Sequence, residues 1–302
     1  MAKGIKMFCA YKRGFETATV KNIQELSRAD NGSLFCEDPR CRTRVEYNSG
    51  HTRHATNTVV PPYLKLAKDC CHASECMNSI SGAVKVFVDD SRDVENVPDI
   101  FEDMQDGSFT FRLNLLEQTR TQLNKLSDKM ATEPESSSLG KEFVETKQRL
   151  ASYCKSAAGI SRVRSLIQDR SDVKEFESLV KIQYKDRLVM WKDFFYDDER
   201  YHVLYNRLSR GRIEYPIAIR VTVKQVKSSK VEQYPVSIQC YAETEEQSSY
   251  IPWINLHQDL KDLELSSGQS YIVLGHVSHS EKDRFKNLKF AINNRQQIVR
   301  ES

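Results

Sequence analysis

FCEDPRC, residues 35–41, sets two cysteines five positions apart around a proline, and CCHASEC, residues 70–76, adds a histidine and three more cysteines about thirty residues later. Zinc asks for four soft or borderline ligands in a tetrahedral array, and a pair a few residues apart supplies two of them from one tight turn. Cys36 and Cys41 form such a pair. The Asp38-Pro39 turn between them would help both thiolates face inward, because proline fixes one backbone dihedral in advance. His72 and Cys76, at i and i+4, would share one face of a helix and supply the second pair. Cys70 and Cys71 compete for that role, as do His51 and His54 in SGHTRHAT. Adjacent residues seldom ligate together comfortably, and the two histidines lie in a polar stretch that reads as an exposed loop. The expectation is a structural zinc ion on Cys36, Cys41, His72 and Cys76, against the alternative of free, partly buried cysteines. A catalytic zinc would need an open coordination position and a nearby general base.

The compartment bears on this choice. The N-terminal stretch MAKGIKMFCAYKRG lacks the apolar segment of a secretory signal. A reducing cytoplasm is therefore expected, where eight cysteines would not persist as disulfides. The chain has 302 residues, 39% hydrophobic and 29% charged, with a mean hydropathy of -0.59. That is an ordinary soluble composition with length for two or three domains. No apolar run approaches the roughly eighteen residues of a membrane helix. The formal charge of +3 is too small to announce a nucleic-acid partner. Residues 1–92 carry 14 basic and 10 acidic side chains, residues 93–212 carry 20 and 21, and residues 213–302 carry 11 of each.

The patterning suggests an α+β chain in three parts. Residues 1–92 read as a small zinc-stabilised module that ends in the strand-like AVKVFVDD, Ala83 to Asp90. Residues 93–212 read as a mainly helical connector. In it Leu113, Leu116, Leu123 and Leu126 recur at helical spacing, ATEPESSSLG (131–140) forms a linker, and KEFVETKQRLASYCKSAA, GISRVRSLIQDR and SDVKEFESLVKIQYKDRLVMWKDFF suggest three further helices. Ser171 and Glu175 resemble a helix opening. From Ile213 the pattern alternates, in YPIAIRVTVKQV, YPVSIQCYAE, QSYIVLGHVS and LKFAINNRQQIV. With a short helix near Leu256–Leu263, residues 213–302 suit a small β-barrel or sandwich, preferably OB-like.

CEDPRC, a basic and polar stretch, and then H-x3-C together resemble the N-terminal zinc module of CoiA-like competence proteins and related phage proteins, over about residues 30–76. The resemblance implies a metal-stabilised module in proteins that act around foreign DNA, often with a restriction-type nuclease domain behind it. The whole layout is similar to phage-encoded inhibitors of the Gabija nuclease–helicase defence complex. That likeness implies a non-enzymatic accessory protein in the bacterial cytoplasm, which occludes a host complex by protein contact and self-associates.

The residues support several readings of function. A nuclease of the restriction type needs an acidic residue and a (D/E)-x-K pair on a neighbouring strand. Asp99 and Glu145-Thr146-Lys147 are the nearest candidates, but KEFVETKQRL is a helical pattern. His276 and His279, near Asp283, read as exposed, and Cys154 and Cys240 lack a neighbouring base. Phosphate-cradling glycine loops and hydrolase signatures are absent. Catalysis is not expected. For binding, MWKDFFYDDERYHVLY (190–205) has the aromatic composition of interface centres. Packing into its own domain is the competing reading. Alternatively, Tyr241, Tyr250, Trp253 and Tyr271 would stack the bases of a single strand. Arg40, Arg42, Arg44 and Arg53 either touch nucleic acid or form a solvated rim.

Overall fold

Val84 and Val88 lie four residues apart, and Ile80 lies four residues before Val84, so the apolar positions around Ala83 repeat with the period of a helix. In the computed structural model, which describes residues 4–14, 18–53, 58–92, 99–132, 137–167, 169–245 and 248–301, this stretch is accordingly a helix. The expected strand over Ala83–Asp90 is thus corrected: valine's preference for strands is overridden because Ile80, Ala83, Val84 and Val88 all face one core. Ser79 opens the helix, its Oγ accepting from Gly82 N at 3.0 Å.

In chain order, the first strands are β1 (Cys9–Arg13), β2 (Ala18–Asn22), β3 (Leu34–Cys36), β4 (Val45–Asn48), β5 (His51–Arg53), β6 (Thr58–Val60) and β7 (Tyr63–Leu66). The helix just described, α1 (Ile80–Asp90), comes next, then β8 (Phe101–Asp103) and β9 (Phe109–Arg112). Three helices follow, α2 (Leu113–Thr132), α3 (Ser137–Ser165) and α4 (Arg170–Leu179). After β10 (Val180–Tyr184) and β11 (Arg187–Val189) come α5 (Trp191–Phe194), β12 (Phe195–Tyr196) and α6 (Tyr201–Arg210). The last strands are β13 (Ile217–Ser228), β14 (Val236–Cys240), β15 (Glu243–Glu245), β16 (Ser248–Leu256), β17 (Ser270–Gly275), β18 (Val277–Lys282), β19 (Phe285–Ile292) and β20 (Ile298–Arg300).

These elements gather into two compact units instead of three successive modules. The first joins the residues up to Asp90 with Arg162–Val180, and the second joins Ser91–Ser161 with Lys181–Glu301. The returning segment belongs to the first unit because α4 packs on α1 and Lys6 N donates to Leu166 O at 3.1 Å. Of the stretch read as a linker, residues 131–132 and 137–140 are helical and 133–136 lie outside the described residues.

The first unit is built on a three-stranded sheet, β2-β1-β3, beside the β4-β7 ladder. Met7 and Leu64 exchange backbone hydrogen bonds at 3.0 and 2.8 Å. Its core contains Met7, Ala10, Leu34, Val45 and Leu64, and two cysteines, Cys36 and Cys76, lie inside it.

In the second unit β11-β10-β9-β8 form one sheet. The helix expected through KIQYKDRLVM is instead the β10–β11 hairpin, since Val180, Ile182 and Tyr184 alternate inward and Lys185 takes a positive φ of 55° at the turn. The Ser171 opening is also shifted, because Asp169 caps α4 by accepting from Ser171 N at 2.9 Å. The larger sheet runs β18-β19-β16-β14-β13-β17-β20, with β12 on β13 and β15 on β16. Among the described residues this path is open from β18 to β20. The short helix expected at Leu256–Leu263 is a single 3-10 turn, Gln258–Leu260.

A buried ion cluster ties the C-terminal end to this sheet. Arg220 on β13 donates to both carboxylate oxygens of Glu301 at 2.8 Å and to Asp198 at 2.8 Å, all three side chains being about 5% exposed. Removing one member of such a cluster strands a buried charge. Glu301→Ala is expected to lower the unfolding free energy by about 3 kcal/mol in urea denaturation, while Glu232→Ala on the surface should stay within about 0.5 kcal/mol of the parent.

Candidate metal centre and basic groove

The turn after β3 is organised by one carboxylate-bearing residue. Cys41 N and Arg42 N both donate to Asp38 O, at 3.0 and 3.1 Å, and Arg42 closes the turn with a φ of 47°. The Asp38 side chain, 2% exposed, accepts from Arg40 N at 2.9 Å and from Met77 N at 3.0 Å. It therefore pins the first cysteine pair to the second ligand segment. The Arg40 guanidinium holds its carboxyl far below the usual range, helped by these backbone donors.

Cys36, Cys41, His72 and Cys76 converge. Their ligand atoms all lie within 4.8 Å of one another. Cys36 Sγ is 3.6 Å from Cys76 Sγ, while His72 Nδ1 is 3.4 Å from Cys41 Sγ and 3.3 Å from Cys76 Sγ. A tetrahedral ion with metal–sulfur bonds of about 2.3 Å and metal–nitrogen bonds of about 2.05 Å would set sulfur–sulfur edges near 3.8 Å and sulfur–nitrogen edges near 3.6 Å. These three edges match a tetrahedral metal site to within a few tenths of an ångström. The expectation that His72 and Cys76 share a helix face is corrected: residues 70–73 are irregular and turns follow at 74–75 and 77–78, with Cys76 N bonded to Ala73 O at 3.0 Å, and this backbone achieves the approach that a helix was expected to give.

The surroundings favour thiolate ligands. Ala73 N points at Cys41 Sγ, Asn78 N at Cys76 Sγ and Asn78 Nδ2 at Cys36 Sγ, each at 3.4 Å. Such donors stabilise sulfur carrying negative charge. Burial alone pushes the Cys36 and Cys76 thiols up and the His72 imidazole down to about 4. A bound cation reverses that balance for the sulfurs, since its own charge dominates the site. A neutral imidazole is already the ligand form.

Two glycines make room for this arrangement. Gly4, with a φ of +73°, lies against His72, where a Cβ would come within 2.7 Å of Cδ2. A Cβ on Gly82 would overlap the carbonyl oxygen of Cys76. The competing ligands stand apart: Cys70 is half-buried and Cys71 exposed outside the group, His51 is exposed on β5, and His54 lies outside the described residues. The arginines divide. Arg40 pairs with Asp38 at 3.2 Å, and Arg42 lies 3.8 Å over the Tyr11 ring while donating to Cys36 O at 3.3 Å. Arg44 is exposed and the Arg53 side chain lies outside the described residues.

The second unit holds a groove of about 780 Å³ that the charge count conceals. Arg120, Arg210, Arg212 and Lys289 line it with His276 and His279, and among the described residues no carboxylate does. Beneath it Glu117 accepts from Arg120 at two oxygens, both at 3.1 Å, and stands 2.7 Å from His276 Nε2. Burial raises the Glu117 carboxyl, but His276 and Arg120 together hold it below its ordinary value. The pair His276–Glu117, 159 residues apart, carries no local sequence signal. His279 instead meets Tyr205 edge-on at 5.4 Å.

Other candidates are absorbed by structure. Glu145 and Lys147 lie on α3, where Glu145 faces Lys141 at 4.0 Å, and Asp99 is exposed at 3.9 Å from Arg92. Cys154 and Cys240 are fully buried, which pushes the Cys154 thiol up to about 12 and the Cys240 thiol higher. Neither is a nucleophile at neutral pH.

No protein-family model and no curated protein matches the chain. Among solved structures, the OB domain (residues 67–166) of a Methanosarcina mazei protein is similar over 28% of this chain and 71% of that one, at 15% identity and a TM-score of 0.20. A likeness that slight carries no argument about this chain.

Elemental analysis of the purified chain should give one metal ion per molecule, and Cys41→Ser should abolish stoichiometric retention. Gly82→Ala should lower the melting temperature and weaken metal retention through its clash with Cys76. Gly140→Ala, with nothing within 4 Å of the added carbon and a helical setting, should be neutral or stabilising by up to about 1 kcal/mol.

Proposed function

We propose that this chain acts by binding instead of by reaction, that it holds a nucleic-acid strand in the basic groove of its second unit, and that a structural zinc ion on Cys36, Cys41, His72 and Cys76 keeps its first unit folded. The observation that carries the binding reading is the groove itself, which among the described residues gathers four cations and two histidines with no lining carboxylate. Phosphate neutralisation by lysine and arginine supplies most sequence-independent affinity for nucleic acid. What matters is the local array of charge, not the net charge of a segment. Glu117 lies below the lining and holds Arg120 and His276 in place, so these two groups are positioned before a ligand arrives.

Three sulfurs and one imidazole are the donor set of structural zinc sites, closed to substrate once the fourth ligand is in place. The ion would supply fold stability and no chemistry. Cysteine ligation of this kind suits a reducing compartment, which is why we place the protein in the cytoplasm. Among the described residues no helix is long and apolar enough to cross a membrane.

An inhibitor that occludes a host nuclease–helicase complex would need a broad contact surface, and Met190–Tyr205 was its candidate centre. Trp191, Phe194, Phe195, Tyr196, Tyr201 and Tyr205 are all buried, at 5% exposure or less. Those aromatics belong to the unit's own core, which is the competing reading of that segment.

The groove reading is tested by the fluorescence anisotropy of a labelled oligonucleotide against salt. The logarithm of affinity should fall linearly with the logarithm of salt concentration, with a slope of about -0.7 per neutralised phosphate on a single strand. Arg210→Ala combined with Arg212→Ala should weaken binding and reduce the slope by one to two phosphates' worth. Binding that ignores both salt and this double variant would overturn the reading.

A further inference from the structure

The large sheet carries a cross-strand row whose composition differs from everything around it. The register pairs Gln225 with Gln239, Gln239 with Trp253, Trp253 with Lys289, and Lys289 with Ser278. Residues paired across strands share a face of the sheet, so five strands, β13, β14, β16, β19 and β18, contribute one residue each to a continuous line with an indole at its centre. The adjoining row, Lys227, Ser237, Asn255 and Ala291, follows the same register. Neither row contains a carboxylate or a large aliphatic side chain. The residues between them in sequence, such as Ile238, Ile254, Leu288 and Phe290, are fully buried and turn the other way.

The indole at the centre is fixed in orientation. Trp253 Nε1 donates to Asn287 Oδ1 at 2.8 Å, and the side chain is half-buried. The exposed Lys227 ammonium lies 5.2 Å from the ring centroid. An ammonium holds its water tightly, so this approach marks a ring face that opens on solvent. Lysine is also easily displaced from such a position, because an exposed cation–π contact is worth only about 0.5–1 kcal/mol. Amide groups surround the ring: Gln225 donates to Gln239 at 2.5 Å, and Ser237 to Asn255 at 2.8 Å. The platform is continuous with the groove, since Asn255, Ser278, Lys289 and Ala291 belong to these rows and also line the groove.

We infer that this face is a stacking site for an unpaired base, with Trp253 as the platform, and that the ligand is therefore single-stranded. The inference rests on the proposed nucleic-acid reading and narrows it. A duplex keeps its bases stacked on each other and offers none to an indole, whereas every unpaired base has a π-face to lay on one. The base replaces Lys227 over the ring. Lys227 and Lys289 are then free to meet the flanking phosphates, and the strand continues toward Arg210 and Arg212. The glutamine, asparagine and serine side chains around the ring supply donors and acceptors for base edges without demanding one base.

The chain carries its own reporter. Its two tryptophans are Trp191, 4% exposed in the core, and Trp253 on the platform, so quenching by a stacked base reads out Trp253. The full-length protein would be titrated with an unlabelled oligothymidine, following tryptophan emission, and with a labelled one, following anisotropy. Quenching should saturate at the same concentration as the anisotropy change. It should vanish in Trp253→Phe, a variant that retains a smaller stacking surface and binds more weakly than the parent. Trp253→Ala should cut affinity for the single strand by about 10-fold or more, leaving the weaker binding of a matched duplex unchanged. Salt-dependent binding with unaltered emission, and with Trp253→Ala equal to the parent, would overturn the stacking site while leaving the groove reading intact. Absence of any salt-dependent binding would overturn both. The quench in the unsubstituted chain requires no variant to fold, so the site is decided even where a substitution destabilises the sheet.

Discussion

Three sulfurs and an imidazole nitrogen packed within 4.8 Å of one another form the constraint on which the first unit depends. Two of the sulfurs, Cys36 and Cys76, belong to its apolar core and are fully buried. Without a cation, burial keeps those thiols protonated, and the backbone and Asn78 donors aimed at the cluster meet only weak acceptors. With a cation, the same donors face negatively charged sulfur, and charge, burial and hydrogen bonding agree. Asp38 couples the halves of the arrangement, since one residue builds the turn through its carbonyl and holds Met77 through its carboxylate. The core of such a small unit is modest, and an internal cross-link of this kind is how small modules commonly gain the stability that area alone does not provide.

Much of that centre was legible. Metal-ligand chemistry restricts the residue types so strongly that Cys36, Cys41, His72 and Cys76 emerge once Cys70 and Cys71 are set aside as adjacent and His51 and His54 as an exposed loop, and Asp38-Pro39 is recognisable as a turn. The route by which His72 meets Cys76 was not legible. An i,i+4 spacing reads as a helix face, yet here it spans irregular backbone and a turn, in a segment that Asp38 holds through Met77 N. The same limit explains AVKVFVDD, where local strand propensity lost to a core that collects Ile80, Ala83, Val84 and Val88 on one side. In VKIQYKDRLVM Val180, Ile182 and Tyr184 alternate, but they follow a helical run without punctuation, so the local pattern reads as its continuation.

The groove shows a different kind of illegibility. Its cations come from Arg120, from Arg210 and Arg212, and from Lys289, three regions separated by long stretches of chain. Segment charge averages these residues with acidic neighbours that have other partners, among them Glu281, which accepts from Tyr205 at 3.0 Å, and Glu243, which lies 2.7 Å from His202 Nδ1. Only the fold separates the signs. Once acidic groups are committed to buried partners, a segment with no net charge can still present a strongly positive surface.

How a sheet that is largely core comes to expose a polar platform follows from one irregularity in β13. The strand is buried from Ile217 to Val223 and exposed from Lys224 to Ser228, and its register with β14 shifts between Val223 and Gln225. A bulge of this kind bends and twists a strand locally. The first half of β13 pairs with β17 and the second half with β14, so one strand serves two environments, and the polar row begins at Gln225, immediately after the shift. The buried half is also the half that holds Arg220, whose bonds to Glu301 and Asp198 anchor it against the segment that follows β20. Rigidity is thus concentrated where β13 is hidden. The platform extends from an anchored base, which lets Trp253 and its amide neighbours keep their spacing without a ligand to order them.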